Sequence, residues 1–139
     1  MSASDRHLRA VAAGLMLLLA APGLRAETIL TPEEFDALSV GKTLSYAQDG
    51  QIYGREMHFP GRQVRIAIPG RECGKGTWFA RGTEICFVYE GLPNEHCWTF
   101  RRDGDRLLAH GSAANGDSPP SEVTLSDAPL SCPGPDVGV

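Results

Sequence analysis

Between Gly76 and Arg101 large apolar side chains recur at every second position, and two cysteines fall on the opposite phase. Ile85, Phe87 and Tyr89 alternate with Glu84, Cys86 and Val88, while Trp98 and Phe100 alternate with Cys97, Thr99 and Arg101. A period of two is the signature of a strand that buries one face. Gly91-Leu92-Pro93-Asn94 lies between the two runs and reads as a loop. Setting Cys86 opposite Cys97 places Ile85 opposite Trp98 and Phe87 opposite His96. One face then carries Ile85, Phe87, Tyr89, Trp98, Phe100 and Trp78, and the other carries Glu84, Cys86, Val88, Cys97, Thr99 and Arg101. A slip of one residue would mix the two faces, so the hairpin and the bond argue for each other. Arg81-Gly82 is expected to turn the preceding strand into this one, with Trp78 opposite Ile85.

The same period runs upstream. Leu44 and Tyr46 alternate with Thr43, Ser45 and Ala47, and Asp49-Gly50 is a strong hairpin signal. Tyr53, Met57 and Phe59 alternate with Gly54, Glu56 and His58, which sets His58 toward solvent. Pro60-Gly61 and Pro69-Gly70 bracket a strand with Val64, Ile66 and Ile68 on one side. Downstream, Asp103-Gly104 turns into a strand over 106–110, and Val123 and Leu125 mark a last short one. The polar, Pro/Gly-rich stretch 111–121 reads as a long loop. Ahead of all these strands, Thr31 suits an N-cap, Pro32 the first helical position and Glu34 the capping-box acid. Gly41 ends that helix, and at about two turns it must lean on something larger. The expected fold is mainly β, an antiparallel meander of about seven or eight short strands. The meander curls into a small barrel or half-barrel with one short N-terminal helix.

The first 26 residues read as an export signal. Arg6 and Arg9 precede an uncharged, mostly apolar run from Ala10 to Leu24, broken at Pro22-Gly23 and followed by Arg25-Ala26. Fifteen helical residues would span only about 22 Å of a hydrocarbon core about 30 Å thick, so a permanent membrane anchor is not expected. Residues 27–125 then form one small domain, and 126–139 a Pro-rich tail tethered through Cys132. All four cysteines, Cys73, Cys86, Cys97 and Cys132, follow the leader, and an even number in an exported chain reads as disulfides. Four allow three connectivities. The hairpin register favours Cys86–Cys97, which leaves Cys73 with Cys132. The expected location is periplasmic or secreted.

Taking away Arg6, Arg9, Arg25 and Asp5 leaves 10 of the 13 basic and 16 of the 17 acidic residues, a net charge of −6. No basic stripe is present, so nucleic acid is not an expected partner, whereas a basic envelope protein is electrostatically easier. The search for chemistry returns little. Gly70 to Thr77 looks like a phosphate loop but has too few residues between its glycines, and Gly76 separates Lys75 from Thr77. Gly74 and Gly76 instead suggest a bulge or a close backbone approach. The cysteine gaps of 12, 10 and 34 residues contain no close pair of the zinc or redox type. A metal site from His58, His96 and a carboxylate such as Glu56 would need strands that meet in space. The serines lie in turns, caps and loops without a nucleophile-elbow pattern. No catalytic, cofactor-binding or metal-binding residue is assigned, and no cofactor is expected.

Gly76-Thr77-Trp78, Ile85-Cys86-Phe87-Val88-Tyr89, His96-Cys97-Trp98 and Asp103-Gly104-Asp105 together resemble a family of small exported proteobacterial proteins of unknown function. The likeness covers roughly residues 30–110 and implies a compact envelope β domain with no catalytic residue to carry over. The functional expectation is a non-catalytic binding or interaction module, such as an acidic inhibitor or accessory protein of an envelope partner. The alternative is a carrier of a small apolar ligand or metal ion inside the barrel.

Overall fold

A computed structural model describes residue 23, residues 26–112 and residues 118–132. Nearly all of the expected leader, the middle of the 111–121 loop and the tail beyond Cys132 lie outside the described residues. The chain runs β1 (Thr28–Ile29), α1 (Pro32–Ser39), β2 (Thr43–Gln48), β3 (Gln51–Phe59), β4 (Gln63–Ala67), β5 (Gly74–Arg81), β6 (Glu84–Tyr89), β7 (His96–Asp103), β8 (Arg106–Gly111) and β9 (Ser121–Ser126).

From β2 to β9 each strand pairs antiparallel with the next, and β9 returns to pair with β2. Eight strands thus close into an up-and-down barrel. The short β1 stands outside it. It pairs Thr28 with Arg102 and Ile29 with Arg101, along the part of β7 that β6 does not reach. The sequence did not announce this strand, because two residues carry no readable period. Glycines with positive φ sit at the tight corners: Gly50, Gly61, Gly82 and Gly104 each complete a hairpin turn.

The hairpin around the cysteines forms in the expected register, with Ile85 opposite Trp98, Cys86 opposite Cys97 and Phe87 opposite His96. Both expected disulfides are present, Cys86–Cys97 with Cα atoms 4.0 Å apart and Cys73–Cys132 with Cα atoms 5.7 Å apart. On the chain-entropy model they contribute about 3 and about 4 kcal/mol respectively. Such bonds fit an oxidising compartment. No helix among the described residues is long and apolar enough to cross a membrane.

One turn differs from expectation. Arg81 pairs with Glu84, so Gly82-Thr83 makes the turn and Trp78 faces Phe87, not Ile85. Gly82 at the first central position suits a II′ turn, which matches the twist of the flanking strands. The displacement is two residues, so every side chain keeps its face.

Helix α1 stops one end of the barrel. Thr31 caps it with the full capping box to Glu34. Gly41 N–H donates to the His58 carbonyl and His58 N–H to the Lys42 carbonyl, which straps the helix exit to β3. Phe35, wholly buried, points into the barrel against His58, Trp78, Phe87 and Phe100, with the Phe100 ring centroid 4.2 Å away.

Candidate functional site

The interior of this barrel is occupied by its own side chains. Leu44, Val64, Ile85, Phe87, Phe100, Leu107, Ala109 and Val123 form the core with Phe35 and Trp78. Arg62, at the β3–β4 turn, lies over the Trp78 ring with its guanidinium carbon 4.4 Å from the centroid. A carried ligand would have to displace these groups.

The core also holds a polar cluster that the sequence pattern placed wrongly. Glu56 and His58 are each 1% exposed, so His58 faces the interior, not solvent. The cause is a β-bulge. Across the Asp49-Gly50 turn Ala47 faces Ile52, but Tyr46 faces Gly54, and Tyr53 is the extra residue. Past that point Leu44 faces Glu56 and His58 faces Val64, so both polar side chains share the inner face with Leu44 and Val64. The extra residue, Tyr53, lies beside Tyr46 with ring centroids 6.4 Å apart and sets its hydroxyl 2.6 Å from Oγ of the buried Ser121.

Glu56 serves as the hub of the cluster. Its Oε1 accepts from Tyr46 Oη at 3.2 Å and from His58 Nε2 at 3.0 Å, and its Oε2 accepts from the Tyr89 hydroxyl. Three donors let a buried carboxylate exist without water. Burial first, and then the Glu56 charge, push the Tyr46 and Tyr89 hydroxyls well above the usual tyrosine range. His58 Nδ1 has no hydrogen-bond partner among the described residues. Phe35 and Phe87 meet the His58 ring edge-on. Buried in the core, the cluster ties β2, β3 and β6 together through Glu56.

The residues weighed as a metal site do not converge. Glu56 and His58 touch, but His96 lies against Tyr89 with ring centroids 6.1 Å apart. Among the described residues the one gathering of ligand-type atoms is Glu84 with Cys86 and Cys97, whose sulfurs are bonded to each other. That disulfide is on the outer face yet covered, because Arg81 pairs with Glu95 at 2.7 Å above it. The phosphate-loop lookalike runs into β5. There Gly76 packs so closely on β6 that a Cβ would lie 2.5 Å from the Val88 carbonyl oxygen and 2.7 Å from Tyr89 Cδ1. The close approach expected of this glycine is what the fold uses.

Two concave surfaces of the outer wall stand out among the described residues. One, of about 600 Å³, spans β2, β9 and β8. Its charged residues are Glu27, Asp49, Asp103 and Glu122 against a single Arg106. Arg106 is held by Glu122 at 3.2 Å and Asp103 at 3.8 Å, and Glu27 leans on Arg101 at 3.4 Å. The strand faces supply Ala47, Ile52 and Leu108 as an apolar floor. The second, of about 650 Å³, spans the end of β3, then β4, β5 and β6. Phe59 and Val88 contribute apolar surface there, and Arg65 and Lys75 contribute positive charge. In the closed strand order β5 and β9 are four strands apart either way, so the two hollows are centred on opposite sides of the barrel. The acidic hollow was not readable from sequence because it joins β2 to β8 and β9, far along the chain; the second lies on consecutive strands, but the reversed phase of β3 hid Phe59 as part of an outer face. No family model, no curated protein and no solved structure matches this chain.

Proposed function

We propose that this chain is an exported, non-catalytic interaction module, periplasmic or secreted, that docks on a basic envelope protein through the acidic hollow of β2, β8 and β9. The observation that carries the reading is the lining of that hollow, four carboxylates against one guanidinium over an apolar floor. A lysine or arginine side chain of a partner fits such a place, with its stem on the floor and its charge among the carboxylates. The filled interior supports a role for the outer wall over a carried ligand. The two disulfides support work in an oxidising compartment, and the net charge of −6 beyond the leader favours encounter with a cationic surface.

The test is capture from an envelope extract on immobilised protein, compared with a variant carrying Glu27→Gln, Asp49→Asn and Asp103→Asn. The expected result is a basic partner retained at low salt, released at high salt and not retained by the variant. Capture that ignores both salt and the three substitutions overturns the reading.

A further inference from the structure

The opposite hollow is built differently. Arg65 of β4 and Lys75 of β5 are directly opposed in the antiparallel register, so their side chains leave the same face from neighbouring strands. Like charges in that position repel and destabilise a sheet. The usual remedy is an interposed carboxylate, and neither residue has an ion-pair partner among the described residues. Glu90 lines the same groove without pairing to either cation. By contrast Lys42, Arg81, Arg101 and Arg106 each hold an acid. An acidic protein therefore keeps two adjacent cations unneutralised in a hollow that also exposes apolar surface. Val88 is 41% exposed there, beside Phe59 and Thr77. A local cost with no compensation inside the molecule points to compensation from outside it.

We propose that this groove binds an acidic, apolar-bearing segment of a second protein. Carboxylates of the segment sit between Arg65 and Lys75 and supply the missing counter-charge. Its apolar side chains cover Phe59 and Val88. In an extended segment residues two apart point the same way, so a segment with an acid and an aliphatic residue two positions apart presents both to this one face. The site is independent of the acidic hollow across the barrel, so either can fail while the other stands.

The probes are two fluorescein-labelled octapeptides, one repeating two aspartates and two valines and one repeating two lysines and two valines, so that each face carries both kinds of side chain. They are titrated with the oxidised protein and read by fluorescence anisotropy. The aspartate peptide is expected to bind and the lysine peptide not to. The double variant Arg65→Gln and Lys75→Gln should weaken the aspartate peptide by about tenfold or more. Val88→Asp should weaken it too. The double variant should melt no lower than the parent, because it relieves a repulsion, and this serves as its folding control. Equal binding of both peptides, or an unchanged affinity in the double variant, overturns the proposal. A chain ending at Cys132 provides the last arm. Binding by the shortened chain about tenfold tighter than by the full one would show that residues 133–139, with Asp136, already fill the groove, and would overturn the assignment to a partner.

Discussion

Glu56 shows how a single acid can look like surface in a sequence and be core in a structure. It accepts from Tyr46, His58 and Tyr89 inside the barrel. Replacing it by alanine would leave three buried donors without an acceptor, and such breaks cost about 3–5 kcal/mol. Urea unfolding of Glu56→Ala should show a loss of that size, and a loss under about 1 kcal/mol would mean that water reaches the cluster. The tyrosines give a pH signature. Their hydroxyls are raised in the folded state, by burial and then by Glu56, whereas in the unfolded chain they ionise near pH 10. Their contribution is therefore complete below about pH 10 and falls as pH climbs above it, where unfolding releases protons. Denaturation midpoints of the parent should decline more steeply from pH 9 to 11 than those of the variant carrying Tyr46→Phe and Tyr89→Phe. Parallel slopes would refute the assignment.

At the level of elements, what could be read depended on whether period and turn chemistry agreed. They agree in β6 and β7, where the cysteine pairing sorted the aromatics onto one face and the structure reproduces that sorting. They agree again in α1, whose cap, proline and terminal glycine all stand where helix-end physics puts them. They part in β3. Its hydrophobic residues suggested an inward Tyr53, Met57 and Phe59, but one bulged residue after the Asp49-Gly50 turn reverses the phase. Polar Glu56 and His58 become interior, and Phe59 becomes part of an outer groove. No composition rule flags that inversion, since Glu56 is tolerated inside only because Tyr46 and Tyr89 arrive from other strands. The one-residue error at Gly82-Thr83 was harmless for the opposite reason: it changed the pairing by an even number.

Across the whole molecule, the acidic hollow depends on closure, because it spans the seam between β9 and β2. The wall is continuous only because β9 meets β2, pairing Thr43 with Ser126 and Leu44 with Leu125 across some eighty residues of chain. Every other strand pairing of the barrel joins strands consecutive in sequence. Local hairpins close quickly, and a seam between distant strands closes late. Until it does, β9 is a loose stave, and the stave of one copy can fit the gap of another. The bond from Cys73 to Cys132 holds the chain just past that stave to the start of β5 of its own barrel. Refolding the variant with Cys73→Ser and Cys132→Ser at high concentration should therefore yield exchanged dimers on size-exclusion chromatography, while the parent with its disulfides intact yields monomers. If both give the same profile, the tether has no such duty. Wherever such chains fold crowded together in an oxidising compartment, this sulfur bridge would act as a guard on identity, keeping each barrel made of one chain.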